Sequence, residues 1–184
     1  MLYSPFSFRK VDLSAYSDEV FRFWQDGAPG WAPSSVTTIL NSARLDWLSS
    51  LTQTLNIWRA KGFIMNSGEL LLGYANLGSL VEGWLKLFYC VYYEEYLRAP
   101  KTNNSGMIAP NDLKFELLKQ YSCSRLWDNQ CDAWHQWVEK IQSRRNAIHA
   151  FNDRDIGTAV EFQEDLQKFE QFIILINTRL PYPD

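Results

Sequence analysis

Residues 66–97 read NSGELLLGYANLGSLVEGWLKLFYCVYYEEYL, and this stretch decides the fold. Its apolar side chains recur at the three- and four-residue spacing of a buried helix, and the chain shows almost no period-two alternation of the kind that indicates strands. Asn66 and Glu69 form an Asn-type capping box, which predicts where the helix begins. Ala99-Pro100 stops it. We therefore expect one long helix from about Gly68 to Leu97.

Helical spacing continues on both sides of this stretch. After the break GAPGWAP at residues 27–33, Ser34 or Ser35 is expected to cap a helix, and Asn111 or Asp112 is expected to cap another after the loop KTNNSGMIAPND. The expected helices, besides the long one, cover about 17–25, 36–60, 113–121, 128–147 and 159–180. The sequence thus predicts an all-α chain, with roughly five helices packed as a bundle.

The composition is that of a globular domain. The chain has 184 residues, 46% of them hydrophobic and 21% charged, which is enough to bury one core without disulfides or metals. The net charge of −3 argues against a large nonspecific nucleic-acid groove but leaves room for a local basic site. Aromatic residues reach 15%, so some apolar surface is available for a partner.

The three cysteines indicate the cellular compartment in which the protein is expected. Cys90, Cys123 and Cys131 are odd in number and form no CxxC pair, which favours reduced thiols in a cytoplasmic protein over zinc or a disulfide framework. The N-terminus has no apolar run long enough for a signal peptide. The most apolar stretch carries Glu82 and Lys86 and is too polar for a membrane span, so no membrane partner is expected.

A short polar motif carries the chemistry. Residues 143–151 read SRRNAIHAF and place two arginines, an asparagine and one of only two histidines within six positions. A histidine that is neutral near pH 7 takes a proton from a ribose 2′-OH, or protonates a leaving oxygen once it is charged. An arginine holds phosphate oxygens and stabilises charge in the transition state. This pattern indicates phosphodiester chemistry without a metal or another cofactor.

The spacing within the motif leaves two interpretations open. In a regular helix Arg145 and Asn146 are neighbours of His149, whereas Arg144 diverges from His149 by about 140°. Arg144 joins His149 only if the turn distorts or a second subunit supplies one of the two. Taken alone, the same pattern also fits a helix end at which basic side chains interact with the last carbonyls.

The order Arg144-Arg145-Asn146-Ala147-Ile148-His149, late in a helical chain and followed by another amphipathic helix, resembles the motif of the HEPN superfamily. The segment LGYANLGSLVEGWLKLFYCVYYEEY at residues 72–96 also resembles the long first core helix of bacterial HEPN proteins. The similarity covers about residues 65–180. It implies a HEPN-type up-and-down bundle over 65–184, with residues 1–64 as a helical extension packed on it.

The resemblance also implies a function. HEPN proteins are commonly metal-independent endoribonucleases of antiphage defence or toxin–antitoxin systems, and they dimerise so that two motifs share a cleft. By this resemblance His149 is the acid/base residue, Arg144 is the motif arginine with Arg145 as the alternative, and Asn146 is a polar helper. RNA, a second copy and an antitoxin or defence protein are the implied partners. Some HEPN toxins carry a tyrosine that a partner nucleotidyltransferase modifies, and here that position is Phe151.

Further residues have weaker assignments. Glu82 is expected to pair with Arg144 or Arg145, and Asn76 to reach the same site. His135 is expected to be structural or to lie at an interface. The aromatic stripe of the long helix is expected to be mostly core, with some tyrosines contacting a partner. A catalytically inactive HEPN interaction module, or a module that senses nucleotides, is the alternative to a nuclease.

Overall fold

The computed structural model describes residues 12–25, 33–149 and 153–183. The start of the chain, residues 27–32 of the expected break and Phe151 lie outside the described residues.

The described residues are mostly helical, which confirms the all-α prediction. They form eight α-helices, two 3-10 helices and one two-stranded antiparallel sheet. In chain order these are α1 (Leu13–Gln25), α2 (Ser34–Ser42), α3 (Leu45–Lys61), α4 (Ser67–Val91), α5 (Tyr93–Arg98), β1 (Thr102–Asn103), β2 (Gly106–Met107), a 3-10 helix (Pro110–Asp112), α6 (Phe115–Tyr121), α7 (Ala133–Asn146), a second 3-10 helix (Ala147–His149) and α8 (Ala159–Asn177).

The long helix begins where the sequence predicts. The Asn66 side chain accepts a hydrogen bond from the Glu69 backbone N–H, and the Glu69 carboxylate accepts one from the Asn66 N–H, both at 3.0 Å. This capping box satisfies two of the free N–H groups at the helix start. The helix ends earlier than expected, because Tyr92 leaves the helical region (φ −90°, ψ 39°), and α5 begins at the next residue.

The expected helix over 36–60 is divided in two. Ala43 is extended (ψ 145°) and Arg44 is also non-helical, so the chain turns between α2 and α3. This turn allows Leu40 and Leu45, one on each side of it, both to be buried in the core. The apolar spacing of residues 36–60 fits a single helix and therefore does not predict this turn. The expected serine caps are wrong as well, since Pro33 is the N-cap residue of α2.

The later boundaries also shift. The expected loop after α5 contains the β1–β2 hairpin. Asn111 and Asp112 both lie in a 3-10 helix, and the N-cap residue of α6 is Lys114. Helix α7 starts at Ala133, five residues later than expected, because the Asp132 side chain caps it by accepting the Trp134 N–H at 2.7 Å.

Helix α4 is the centre of the structure. It packs against α2, α3, α6, α7 and α8, and α1 packs on α2 and α3. Small residues of α4 allow the close approach of its neighbours: a Cβ added at Gly73 would lie 2.8 Å from the Phe162 ring of α8, and one at Gly83 would lie 2.5 Å from Leu48 of α3. The core is continuous from α1 to α8.

Helices in the described part of the chain are either too short or too polar to cross a membrane.

The close approach of α4 and α8 gives a first prediction. Gly73→Ala gains about 1 kcal/mol of helix propensity but forces the buried Phe162 ring to move, which costs about 1–3 kcal/mol. We expect a net loss on the order of 1 kcal/mol in the free energy of unfolding, measured with urea. Gly68→Ala, in the exposed first turn of α4, is the control and should be neutral or stabilising. Equal stability of the two variants would contradict this packing.

Candidate functional site

The motif lies where α7 tightens and ends. Arg144, Arg145 and Asn146 are the last three residues of α7, and Ala147–His149 continue as a 3-10 turn that packs against α4. The Ala147 N–H donates to the Arg144 carbonyl three residues earlier, as in a 3-10 helix. Ala147 is fully buried, so the turn is anchored to the bundle.

Arg144 is directed into the interior, with only 4% of its surface exposed. Its Nη1 donates to the Tyr74 hydroxyl at 2.6 Å and lies 3.5 Å from Asp165 Oδ2. Its Nη2 donates to Glu161 Oε1 at 2.7 Å and lies 3.4 Å from Asp155 Oδ2. The guanidinium therefore joins α4, α7, α8 and the loop before α8.

Asp165 is the buried centre of this cluster. Its Oδ2 accepts the Tyr74 hydroxyl at 2.9 Å, and its Oδ1 accepts Trp137 Nε1 at 2.9 Å and the Lys140 ammonium at 2.5 Å. A buried carboxylate is tolerated only when cations and donors surround it in this way. Asp165 thus fixes the positions of Tyr74 and Arg144 relative to each other.

Glu161 connects the same cluster to the start of α8. Its Oε2 accepts the Thr158 N–H at 2.8 Å, and its N–H donates to Thr158 Oγ1, which completes a capping box. Its Oε1 is free to receive Arg144. The preceding Gly157 has φ +69°, and a Cβ there would lie 2.4 Å from the Arg144 guanidinium carbon. Only glycine fits both the backbone conformation and the contact.

The contacts within the cluster shift the pKa values of Arg144, Tyr74 and Glu161. Burial opposes the charge on Arg144, but hydrogen bonds with Glu161 and Tyr74 more than offset it and raise the pKa of the guanidinium. The pKa of Tyr74 is raised by burial and by the neighbouring Asp165 carboxylate. The pKa of Glu161 is lowered by its hydrogen bonds from Arg144 and Thr158. Arg144 is therefore a permanent cation, and Tyr74 a neutral hydroxyl.

Arg145 lies at the edge of the contact between α7 and α4, where its side chain is one-third exposed. Its aliphatic part fills the notch at Gly78, at which an added Cβ would lie 2.5 Å away. Nη2 donates to Glu82 Oε2 at 3.1 Å, and Nη1 donates to Asn146 Oδ1 at 3.2 Å. Of the two pairings expected for Glu82, the structure has the one with Arg145.

His149 is exposed at the end of the 3-10 turn. In a 3-10 helix, residues three apart lie over each other, which places His149 on the side of Asn146. Arg145 holds Asn146 from the other side through its hydrogen bond. Arg145 and Asn146 are thus in contact and partly exposed, and His149 is exposed three residues after Asn146. Arg144, on the opposite side of the turn, supports them from the interior.

Two other expectations have clear outcomes. Asn76 does not reach the motif: it is buried and donates to Thr54 Oγ1 of α3 at 2.5 Å, because it faces the opposite neighbour of α4. His135 is buried, and its Nδ1 accepts the Trp127 indole N–H at 3.1 Å. Cys123 Sγ lies 3.4 Å from the same nitrogen, so the ring has a structural role.

Sequence reasoning missed the residues that hold Arg144. Tyr74 is hidden within the apolar stretch of α4. The burial of Asp165 could have been predicted from the sequence. It lies three residues after Phe162 on the apolar face of α8, where a lone carboxylate requires a partner. The role of Glu161 could also have been predicted, since Thr158-x-x-Glu161 is a capping-box pattern.

A cavity of about 370 Å³ adjoins the motif. Glu82 lines it, and its Oε1 pairs with Lys86 at 3.0 Å on the side away from Arg145. The walls are mainly leucines of α2, α3 and α4, and Arg44 also contributes. Within the described ranges no three His, Cys, Asp or Glu side chains form a group that could hold a metal ion.

Comparison of the chain with protein-family models, curated proteins and solved structures gives no match.

The different environments of the two arginines give a second prediction. Arg144→Ala removes the cation that Asp165 and Glu161 share. We therefore expect a loss of about 3 kcal/mol or more in the free energy of unfolding. Arg145→Ala removes a partly exposed pair and should cost about 1 kcal/mol or less. Urea denaturation measures both. Similar losses in the two variants would contradict the division between a buried and a surface arginine.

The lowered pKa of Glu161 gives a third prediction. Its contribution to stability is fully present above its ordinary pKa of 4.5 and is lost as the pH falls through the lower folded-state value. We expect the wild type to lose more stability than Glu161→Gln on acidification below about pH 5. The exposed Glu164 of the same helix provides the control, and Glu164→Gln should follow the wild type. Parallel acid profiles for all three proteins would contradict the role of Glu161.

Proposed function

We propose that this chain is a metal-independent endoribonuclease of the HEPN type, acting in antiphage defence or in a toxin–antitoxin pair in the cytoplasm. In this proposal residues 65–184 are the HEPN-like bundle and residues 1–64 are a helical extension. The proposal takes its family from the Arg-x4-His motif and takes the roles of the individual residues from the contacts described above.

One observation carries the proposal: the motif is divided between the interior and the surface. Arg144 is enclosed by Tyr74 and three carboxylates, so it acts as a positioning residue that fixes the end of α7. The residues left at the surface are Arg145, Asn146 and His149. They are a cation, an amide and an imidazole, and a cation with an imidazole can supply phosphate binding and acid–base catalysis without a metal.

The proposed reaction uses the ribose as its own nucleophile. His149 removes the proton of the 2′-OH, whose oxygen attacks the adjacent phosphorus, and the bond to the 5′-oxygen breaks. The imidazolium, or a second His149 across a dimer, then protonates the leaving 5′-oxygen. Arg145 binds the non-bridging oxygens once the phosphate displaces Glu82, and Asn146 orients them. The products are a 2′,3′-cyclic phosphate and a 5′-OH end.

Pairing of two copies suits this surface. Ile148, next to His149, is 41% exposed. Apolar side chains beside a reactive group favour burial against a partner. A homodimer about this corner would bring two His149 side chains together, and an antitoxin or defence protein would regulate access to them.

A second function has its own support. Both motif arginines are paired with carboxylates, Arg144 with three and Arg145 with Glu82. A site neutralised in this way fits a catalytically inactive HEPN module that binds a partner or senses a nucleotide within a larger defence complex. The state of Glu82 separates the two functions: in the nuclease its pairing with Arg145 must yield to phosphate.

The fourth prediction concerns RNA cleavage. The purified full chain should cleave end-labelled RNA in EDTA and leave 2′,3′-cyclic phosphate and 5′-OH ends. His149→Ala should lower the rate by about 10²–10⁴-fold, and Arg145→Ala by roughly tenfold or more. Glu82→Gln should tighten RNA binding, because it removes the carboxylate that competes for Arg145.

Arg98→Ala, an exposed arginine at the far end of the bundle, is the matched control and should cleave like the wild type. Cleavage that survives in both His149→Ala and Arg145→Ala would overturn the proposed site. Absence of cleavage in the wild type and in Glu82→Gln, with partner binding retained in His149→Ala, would select the inactive module.

A further inference from the structure

A second cavity lies near the C-terminal end of α4, about 18 residues along the chain from Tyr74. Its volume is about 260 Å³, and it is lined by Phe88, Tyr89, Tyr92, Glu95, Tyr96, Tyr121 and Arg125. At 1.5 Å per residue Tyr92 lies about 27 Å along the helix from Tyr74, which contacts Arg144, and about 15 Å from Glu82, which contacts Arg145. We call this cavity the tyrosine pocket.

Residues of α4 and α5 form one wall of the tyrosine pocket. Phe88, Tyr89, Tyr92, Glu95 and Tyr96 recur at the spacing of a single helix face, which continues across the bend at Tyr92. The other wall comes from the end of α6, whose Tyr121 ring lies 5.0 Å from that of Tyr89 and 5.1 Å from that of Tyr96.

The tyrosine hydroxyls are bonded to the scaffold. Tyr89 donates to Ser122 Oγ at 2.8 Å, Tyr92 to the Arg179 carbonyl at 2.5 Å, and Tyr96 to the Ile108 carbonyl at 2.6 Å. These bonds fix the ring orientations. The pocket is therefore preformed. Phe88, Tyr89, Tyr96 and Tyr121 are each less than 9% exposed, so the half-buried Tyr92 ring supplies the open aromatic face on which a flat group such as a nucleobase can stack.

Two charged side chains give the pocket polarity. The Arg125 guanidinium stacks on the Tyr121 ring at 3.8 Å, held by a hydrogen bond from Nη1 to the Tyr121 carbonyl. Glu95 is exposed on the opposite helix and has no partner within the described part of the chain. An ionised carboxylate only accepts hydrogen bonds, so it favours a base that presents two adjacent donors. Guanine, with N1–H and the N2 amino group, is that base.

A polar cavity of about 320 Å³ continues from Arg125. It is lined by Ser124, Arg125, Leu126, Trp127, Asp128 and Arg179. Arg179 is fixed by hydrogen bonds from Nη1 to the Arg125 and Leu126 carbonyls, at 3.1 and 3.0 Å. Two arginines supply N–H donors for phosphate oxygens, and Asp128 supplies an acceptor for a ribose hydroxyl. The two adjoining cavities together are within the range of small-molecule sites, about 300–1,000 Å³.

We propose that this chain binds a free guanine mononucleotide at this second site, with the base in the tyrosine pocket, Glu95 on its donor edge and the phosphate on Arg125 and Arg179. The site is separate from the motif of α7 and requires no residue of it. Its occupation would brace α4, α5, α6 and the turn after α8 against one another.

Calorimetry with the full chain tests the proposal, using GMP, AMP, guanosine and inorganic phosphate as separate probes. We expect one GMP per chain, weaker binding of AMP and guanosine, and no saturable binding of phosphate alone. Arg125→Ala and Tyr92→Leu should each weaken GMP binding by roughly tenfold, through loss of a phosphate contact and of a stacking face respectively. Glu95→Gln should reduce the preference for GMP over AMP by about fivefold or more.

Matched variants locate the binding. Glu94→Gln and Arg98→Ala change exposed residues of α5 outside the tyrosine pocket and should bind GMP like the wild type. His149→Ala should also bind it unchanged. The proposal is overturned by GMP binding that is lost in His149→Ala but kept in Arg125→Ala, by no saturable GMP binding at millimolar concentration, or by binding only of longer oligonucleotides. Thermal melting establishes that each variant is folded.

Discussion

The buried ion cluster around Arg144 is the constraint on which the rest of the structure depends. One guanidinium meets Tyr74 of α4, Glu161 and Asp165 of α8, and Asp155 of the loop between α7 and α8. A charge removed from water is tolerated only while its partners remain in place, so these elements cannot separate without exposing or stranding it. The cluster therefore sets the position at which α7 ends and the 3-10 turn begins.

This constraint changes how the Arg-x4-His motif is understood. The arginine that matches by spacing is held in the interior, whereas Arg145, Asn146 and His149 remain at the surface. A short motif thus contains two kinds of residue: one that is buried and fixes the backbone, and three that lie at or near the surface. Under the proposed function, release of Arg145 from the Glu82 carboxylate would separate an active site from a silent one.

The sequence predicts the helical class, the start of α4 and the pairing of Glu82, because each depends on local spacing or on a charge in an apolar stretch. It does not predict the turn at Ala43 and Arg44 or the bend at Tyr92, since both are determined by how neighbouring helices pack. The sequence does not predict the burial of Arg144 either, for the same reason. Helical periodicity predicts which residues of α7 share a face. Which of those faces is buried depends on the packing of α8, with Asp165, against it.

A double-mutant cycle between Arg144 and Asp165 tests the central claim most directly. The free energy of unfolding is measured with urea for the wild type, Arg144→Met, Asp165→Asn and the double variant. If the buried cluster holds the end of α7, each single change removes one charge from a shared network, and the double variant is more stable than the sum of the two losses predicts, by about 1 kcal/mol or more. Losses that simply add would show that the two residues act independently and would contradict the account.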